Sequence, residues 1–340
     1  MSYIDDIRTV AELHLPWEKL EDCNILITGA TGLIGSCLVA VLMARKNRNY
    51  HVYASGRNTV RANKRFKRYA NDSYFHFLEH DITLPLDSNT TFQYIIHAGS
   101  NASPNFFSTK PVEVLKSNTL GVINLMDYGI GHGLRRFLFV SSGEVYGEGD
   151  GRIFTEEYSG YVDCTSPRSC YPTGKRAAES LCASYSTEYG IETVIARPCH
   201  TYGPEFTEAD NRAYAQFIRN VLAKEDIIMK SNGAQYRSWC YVVDCVSALL
   251  HILLKGEAGK AYNIADETSN ITIKELATMI AEIGGQKVVT QLPTDVEMMG
   301  ANPVTKSIYS AERLKSLGWR CRTTMRENLQ TTINHLLYEQ

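Results

Sequence analysis

Tyr171 and Lys175 stand four residues apart in Cys170-Tyr171-Pro172-Thr173-Gly174-Lys175. On a helix, residues i and i+4 lie on one face. A lysine ammonium there favours the tyrosinate by Coulomb attraction and lowers the phenol pKa from about 10 towards the working pH. Such a tyrosine can remove a proton from a hydroxyl as hydride leaves the same carbon. A second stretch, Ser141-Ser142-Gly143-Glu144-Val145-Tyr146-Gly147, directly follows the apolar run Phe137-Leu138-Phe139-Val140. Residues leaving the carboxyl end of a parallel strand face the ligand crevice. One of the two serine hydroxyls can share a proton with Tyr171. Glu144, a carboxylate in an otherwise uncharged stretch, is a candidate acid or base.

A third stretch is rich in glycine: Thr28-Gly29-Ala30-Thr31-Gly32-Leu33-Ile34-Gly35. It lies between a strand-like run and a helical pattern. Gly29 permits a tight turn, Gly32 lets backbone approach a pyrophosphate, and Gly35 lets the helix pack close on the sheet. The helix N-terminus offers free N–H groups and a positive dipole end to phosphates. In that context the triplet predicts dinucleotide binding. The acidic ribose ligand usual at the end of the second strand is missing, because Ala54-Ser55-Gly56-Arg57-Asn58 stands there. Arg57 suits either a 2′-phosphate, hence NADP, or stacking on adenine with NAD. Asp81-Ile82, after an extended run, is placed to contact the adenine edge.

These residues need a frame. Short apolar runs recur at 24–28, 51–54, 94–97, 137–140 and 193–196, separated by helix-length segments such as 33–45. That alternation predicts an α/β fold of Rossmann type, a doubly wound parallel sheet covered on both faces. Residues 1–23 read as a polar extension with a short amphipathic segment. Residues 24–198 and 239–265 read as the dinucleotide-binding domain, with 239–263 re-entering the sheet. Residues 199–238 and 266–340 read as a smaller substrate domain, with helices at about 272–283 and 325–338.

The composition is that of a folded soluble protein: 340 residues, 44% hydrophobic, 21% charged, net charge −2. Such a balance supplies no field to recruit nucleic acid or an anionic membrane. The longest apolar stretch, 33–44, is too short to span a bilayer. The acidic N-terminus lacks the pattern of a signal peptide. Nine cysteines without a C-x-x-C pair fit reduced thiols in a cytoplasm better than disulfides or a zinc site, and no cluster has metal-ligand spacing. Six basic residues between Arg57 and Arg68 read as a solvated helix face.

The three stretches are joined by Arg197-Pro198-Cys199-His200-Thr201-Tyr202-Gly203-Pro204 and Arg237-Ser238-Trp239-Cys240-Tyr241-Val242-Val243-Asp244. Together they resemble the extended short-chain dehydrogenase/reductases, the NAD-dependent epimerase/dehydratase family acting on nucleotide-diphospho-sugars. The resemblance is strong over about 24–265. Within the family the chain is most similar to the UDP-glucuronate decarboxylases, through Ala102-Ser103-Pro104, Asn118-Thr119, Ser142 to Gly147, and Pro167-Arg168-Ser169-Cys170-Tyr171 with Gly174-Lys175-Arg176 and Glu179. The resemblance implies a redox-neutral cycle on bound NAD. Tyr171 deprotonates the C4 hydroxyl, the 4-keto glucuronate loses CO2, and the keto group is reduced again. It assigns cofactor contacts to the loop residues Gly29, Thr31, Gly32, Leu33, Ile34 and Gly35, and to Arg57, Asp81, Ile82, His97, Ala98, Gly99, Asn118, Ser141, Tyr171, Lys175 and Pro198. It assigns catalysis to Tyr171, Lys175, Ser142 and Glu144, and sugar-nucleotide contacts to Ser103, Pro104, His200 and Arg237. A homodimer through helices near 112–130 and 172–189 is implied as well.

This chain departs from the family pattern in four places. Ser142-Gly143-Glu144 replaces Thr-Ser-Glu of the decarboxylases, His200 replaces an Asn, the second-strand acid is absent, and Phe106-Phe107 replaces a tyrosine-containing pair. A 4-epimerase needs only the hydroxyl, Tyr171 and Lys175, and stays open. A 4,6-dehydratase would need an acid at 143. A reductase using NADPH would suit Arg57. A non-catalytic dinucleotide sensor would keep the loop and lose the Tyr–Lys pair, which is intact here.

Overall fold

The computed structural model describes residues 2–291 and 305–338. The part of the expected substrate domain at 292–304 and 339–340 lies outside the described residues. In chain order the elements are α1 (Tyr3–Ala11), β1 (Asn24–Thr28), α2 (Leu33–Ala44), β2 (His51–Gly56), α3 (Thr59–Arg65), β3 (Phe75–Glu79), β4 (Tyr94–His97), α4 (Pro104–Thr109) and α5 (Pro111–Gly131). Next come β5 (Arg136–Val140), α6 (Cys170–Tyr189), β6 (Glu192–Pro198), β7 (His200–Tyr202), α7 (Ala213–Leu222), β8 (Ile227–Met229), β9 (Tyr236–Tyr241) and α8 (Val242–Lys255). The last are β10 (Ala261–Ile264), β11 (Asp266–Thr272), α9 (Ile273–Gly284), β12 (Val288–Thr290), β13 (Lys306–Ser307) and two further helices, Glu312–Ser316 and Met325–Tyr338.

Seven strands form one parallel sheet in the order β10-β6-β5-β4-β1-β2-β3. The order reverses between β1 and β4, so their carboxyl ends open a crevice there, where ligands bind in doubly wound sheets. The runs Ile25-Leu26-Ile27 and Phe137-Leu138-Phe139 are wholly buried, as strands covered by helices on both faces must be. The expected Rossmann-type sheet is therefore present, and its helices carry the loop and the Tyr–Lys pair. Among the described residues no helix is long and apolar enough to cross a membrane.

Two expectations need correction. Residues 2–23 are part of the fold. Ser2 and Asp5 form a capping box that starts α1, and Tyr3, Ile7, Val10 and Ala11, at helical spacing, are buried. Leu15, Trp17 and Leu20 join them in the same core as α2 and α8. Asp5 and Arg8 keep the opposite face polar, while Asp6 is buried and accepts from the Tyr241 hydroxyl at 3.2 Å. The second correction concerns residues 239–241. They end β9, which pairs with β7, β11 and β13 in a separate sheet. Only α8 and β10 of the 239–263 segment return to the large sheet.

Candidate active site

The cofactor end is shaped by backbone. Gly29 has φ +66°, and a Cβ there would sit 2.6 Å from the Ala98 carbonyl oxygen and 2.7 Å from Gly99 Cα. Only glycine fits both the conformation and the gap between the ends of β1 and β4. A Cβ on Gly35 would press on the Gly29 carbonyl and lie 2.8 Å from Ala30 Cα. Gly32 caps α2 without a side chain of its own. Gly29, Thr31, Gly32 and Leu33 line a cavity of about 560 Å³, whose wall continues through Arg57, Asp81, Ile82, Ala98, Gly99 and Ser103. Ile34 turns towards the core instead.

Arg57 does not stand alone. Its Nη1 lies 3.6 Å from Asp81 Oδ2 and 3.4 Å from Glu113 Oε1. Burial opposes the Asp81 charge, but hydrogen bonds from Thr83 and the Arg57 guanidinium hold its pKa below the ordinary value. Arg65 is more than a solvated charge: it donates to the carbonyls of Thr31 (2.9 Å) and Glu205 (3.0 Å), tying the phosphate loop to the loop after β7.

The candidate reaction centre forms where α6 begins. Tyr171 and Lys175 occupy its first two turns on one face and are both buried. Phe107 stacks on the Tyr171 ring at 4.7 Å and 19°, so one of the departures from the family pattern positions the tyrosine. Lys175 Nζ donates to the Val140 carbonyl at 2.8 Å and sits 4.6 Å over the Phe139 ring. Burial lowers the Lys175 pKa to about 7, against the pull of Glu179. Burial also pushes Tyr171 up to about 12, while a hydrogen bond with Ser142 and the charges of Arg212 and Arg168 pull it down. The direction is the reverse of that expected from the lysine alone. Desolvation of a phenolate outweighs the Coulomb attraction in this dry site.

The two serines divide their work. Ser141 Oγ donates to Glu179 Oε1 at 2.5 Å, and Glu179 is clamped by Arg197 at 2.6 Å. Ser142 faces Tyr171 and caps the turn Gly143–Tyr146, its Oγ accepting from the Glu144 N–H at 3.2 Å. Glu144 accepts from Arg168 Nη2 through both oxygens at 3.0 Å. His97 shares a proton with Thr28 Oγ1 at 2.7 Å. Burial, with Lys175 second, drops its pKa to about 3, so it is neutral. Asn118 accepts from Ser100 Oγ at 3.0 Å and donates to the Val114 carbonyl at 2.8 Å. A Cβ on Gly174 would sit 3.2 Å from Asn118 Cβ, which records how closely α5 and α6 approach. Pro198 ends β6 at the same edge of the sheet.

The opposite end of the crevice is closed by the second sheet. Ser103, just before Pro104 opens α4, donates to Asn211 Oδ1 at 2.9 Å. His200 lies in β7 with its ring 5.2 Å from Trp239, and its Nδ1 has no partner. Burial lowers its pKa to about 3, helped by the charges of Arg237 and Arg212. Arg237 is buried in β9, opposite Ser307 in the register with β13. Burial also lowers the Arg237 pKa, and the neighbouring Tyr309 phenol and the Glu144 carboxylate resist it. Sequence reasoning missed Arg212. It grips Asp210 through two nitrogens, lines the cavity, and acts electrostatically on both Tyr171 and His200. It also missed Glu113 and Tyr309; nothing local marked any of the three.

This arrangement fits a dinucleotide. The glycines at 29 and 35 let the loop close against the main chain of β4 and of its own turn, where a Cβ would clash, and Ser55 Oγ and His97 Nε2 are buried without a partner. The cavity runs from Arg57 and Asp81 to Arg212, near the reaction centre. Several known proteins share its sequence and shape. UDP-glucuronic acid decarboxylase 6 of Arabidopsis thaliana is 33% identical over 306 residues, covering 90% of this chain and 86% of that protein. UDP-glucuronic acid decarboxylase 1 of Xenopus tropicalis is 29% identical over 317 residues, 93% of this chain and 72% of that protein. The crystal structure of UDP-glucose 4-epimerase from Thermotoga maritima with UDP-glucose superposes with a TM-score of 0.79 at 26% identity, covering 92% of this chain and 98% of that one. The family pattern "NAD dependent epimerase/dehydratase family" matches residues 25–265. That span runs from the first strand of the large sheet to its last and takes in both the glycine loop and the Tyr171–Lys175 pair. The chain belongs to the NAD dependent epimerase/dehydratase family.

Proposed function

We propose that this protein decarboxylates a nucleotide-diphospho-glucuronate, UDP-glucuronate, through a 4-keto sugar. The observation that carries the reading is the charge arrangement beyond Tyr171. Glu144 is held through both oxygens by Arg168, and the buried Arg237 guanidinium feels the Glu144 charge. A carboxylate on the sugar would meet guanidinium groups there, whose planar donors match it. The decarboxylase relatives support the same choice.

When bound, NAD supplies a reversible hydride acceptor and a cationic ring whose charge favours the tyrosinate. Tyr171 takes the C4 hydroxyl proton and Ser142 orients that hydroxyl. Lys175, fixed on the Val140 carbonyl with its Nζ 5.7 Å from the Tyr171 ring centre, places positive charge beside the phenol when it is protonated. The 4-keto glucuronate is a β-keto acid: its C5–C6 bond breaks, CO2 leaves, and a proton takes its place at C5. Tyr171 then returns its proton to the C4 oxygen as C4 is reduced.

A second reading, 4-epimerisation, is favoured by one observation. It needs only Ser142, Tyr171 and Lys175, and these stand together, with Ser142 hydrogen-bonded to the Tyr171 phenol and Lys175 one turn on along α6. The experiment is direct. The full chain with NAD is given UDP-glucuronate, UDP-glucose, and CDP- and dTDP-sugars in turn, and products are read by mass spectrometry and NMR. Loss of CO2 from UDP-glucuronate is the expected outcome. A C4-inverted product of unchanged mass would replace the first reading by the second. The reading also includes a cytoplasmic homodimer. Nine free cysteines fit a reducing compartment. Leu115, Ile130 and Tyr189 stay exposed on α5 and α6, a surface a second copy could cover.

A further inference from the structure

Gly143 stands between Ser142 and Glu144, two residues of the candidate reaction centre. Its backbone lies outside the left-handed region. Conformation therefore does not demand glycine here; space does. A Cβ at 143 would overlap the Tyr309 hydroxyl and lie 2.5 Å from the ring carbons Cε1 and Cζ. Tyr309 comes from a segment more than 160 residues downstream, and it cannot easily step aside. It is 3% exposed. Its hydroxyl is paired with Ser307 Oγ at 2.6 Å, and its N–H donates to Ser238 Oγ at 3.1 Å. Its ring packs on Phe154 at 5.4 Å and Tyr146 at 5.7 Å. Its backbone bridges to Phe154.

We propose that Tyr309 is a specificity-determining residue of the sugar site: its phenol occupies the place of the side chain at position 143, and Ser307 anchors it there. The turn between Ser142 and Glu144 then presents no side chain of its own to the sugar, and Tyr309, two residues past β13, fills that volume. The placement is consistent with the electrostatics, since the Tyr309 phenol and the Arg237 guanidinium each respond to Glu144. Burial keeps the phenol neutral, so it neither repels a sugar carboxylate nor competes with Arg237 for it. This inference rests on the reading that a nucleotide-linked uronate is the substrate.

The test is a substitution cycle on the full chain with NAD. Gly143→Ser alone should lose at least tenfold in kcat/KM, because its Cβ meets a ring that is held on every side. Tyr309→Leu ends short of the outer ring carbons. Added to Gly143→Ser, it should restore most of the lost activity and raise Tm above that of Gly143→Ser. Tyr309→Phe keeps Cε1 and Cζ in place and should not rescue. Tyr309→Leu alone should lower the kcat/KM ratio of UDP-glucuronate over UDP-glucose at least tenfold, because it empties the space between Ser142 and Glu144 that the phenol fills. If Tyr309 were only core filling, the double variant would be worse than either single one and the ratio would not move. Rescue by Phe, or a double variant with Tm below both singles, overturns the proposal. Should wild type not turn over UDP-glucuronate, the uronate reading itself fails. The cycle is then read on whichever sugar nucleotide the wild type converts, and rescue by Leu but not Phe still decides the role of Tyr309 at position 143.

Discussion

The cofactor end and the sugar end of the crevice are made of different material. Gly29, Gly32 and Gly35 shape the first with main chain, and the close backbone approaches at Gly29 and Gly35, which a methyl group would break, set its dimensions. Lys175, Glu144, Arg168, Arg212 and Arg237 shape the second with charged side chains drawn from α6, the turn after β5, the turn before α6, the loop after β7 and β9. A surface made of backbone is all or nothing, since it cannot be adjusted without moving a strand or a helix. A surface made of charges is graded, since each group shifts the others' protonation and can be retuned one at a time. A family that keeps one cofactor and changes its sugar would divide its construction in this way.

The sharpest way to separate the two ends is to remove one hydroxyl. Tyr171→Phe keeps the ring that stacks on Phe107 and takes away the proton acceptor. Turnover should fall about 10²- to 10⁴-fold, the usual worth of a positioned acid–base group. NAD binding, followed by fluorescence titration, should stay within about twofold. Turnover near wild type would mean another group removes the C4 proton.

The mirror experiment strikes the other end. Gly35→Ala puts a methyl group against the Gly29 carbonyl and Ala30 Cα, and main chain has to move. NAD affinity should fall about thirtyfold or more, which is about 2 kcal/mol, with Ser142, Tyr171 and Lys175 left where they are. Unchanged affinity would show that the loop yields more readily than its packing suggests.

Protonation at the reaction centre gives a smaller, directional effect. Lys175 falls to about 7 on folding. Between that value and the ordinary lysine pKa near 10.4, the unfolded chain holds a proton that the folded chain has released, so stability rises with pH across that window and is lowest below it. Lys175→Met has no proton to lose. Tm measured without cofactor from pH 7 to 9 should climb less steeply in the variant than in wild type. Parallel curves would mean that Lys175 keeps its charge throughout.

The contrast between the ends also explains what could be read from the chain alone. The phosphate loop is eight consecutive residues, and its function is local geometry, so its pattern is visible in the sequence. Tyr171 and Lys175 share one helical face for the same reason. Tyr309 and Gly143 are neighbours only because β13 lies beside β9, and no spacing announces that. Arg212 and Arg168 sit in loops whose course is set by tertiary contacts. The N-terminal helix was legible in principle, through Ser2 and Asp5 and the apolar positions 3, 7, 10 and 11. Its charges drew attention to the solvent face. The segment from 239 reads as starting with a strand, and 239–241 do end one, which begins at Tyr236; the pattern cannot say which of two sheets it joins.

One place at the cofactor end does use charge, and it offers the finest test of the contrast. Arg57 faces the cavity between Asp81 and Glu113. A cofactor with a 2′-phosphate would be drawn by the guanidinium and repelled by both carboxylates, so the cluster as built favours NAD. Glu113→Gln removes one of those negative charges and keeps an oxygen to accept from Asn101 Nδ2, which now lies 2.9 Å from Glu113 Oε1. NADP should bind up to about tenfold tighter, or about 1.4 kcal/mol, while NAD changes by less than twofold. All three groups are partly exposed, so the gain should shrink as salt is raised towards 1 M. An equal change for both cofactors would place Glu113 against a part of the dinucleotide that they share. Cofactor choice would then rest on backbone, like the rest of that end.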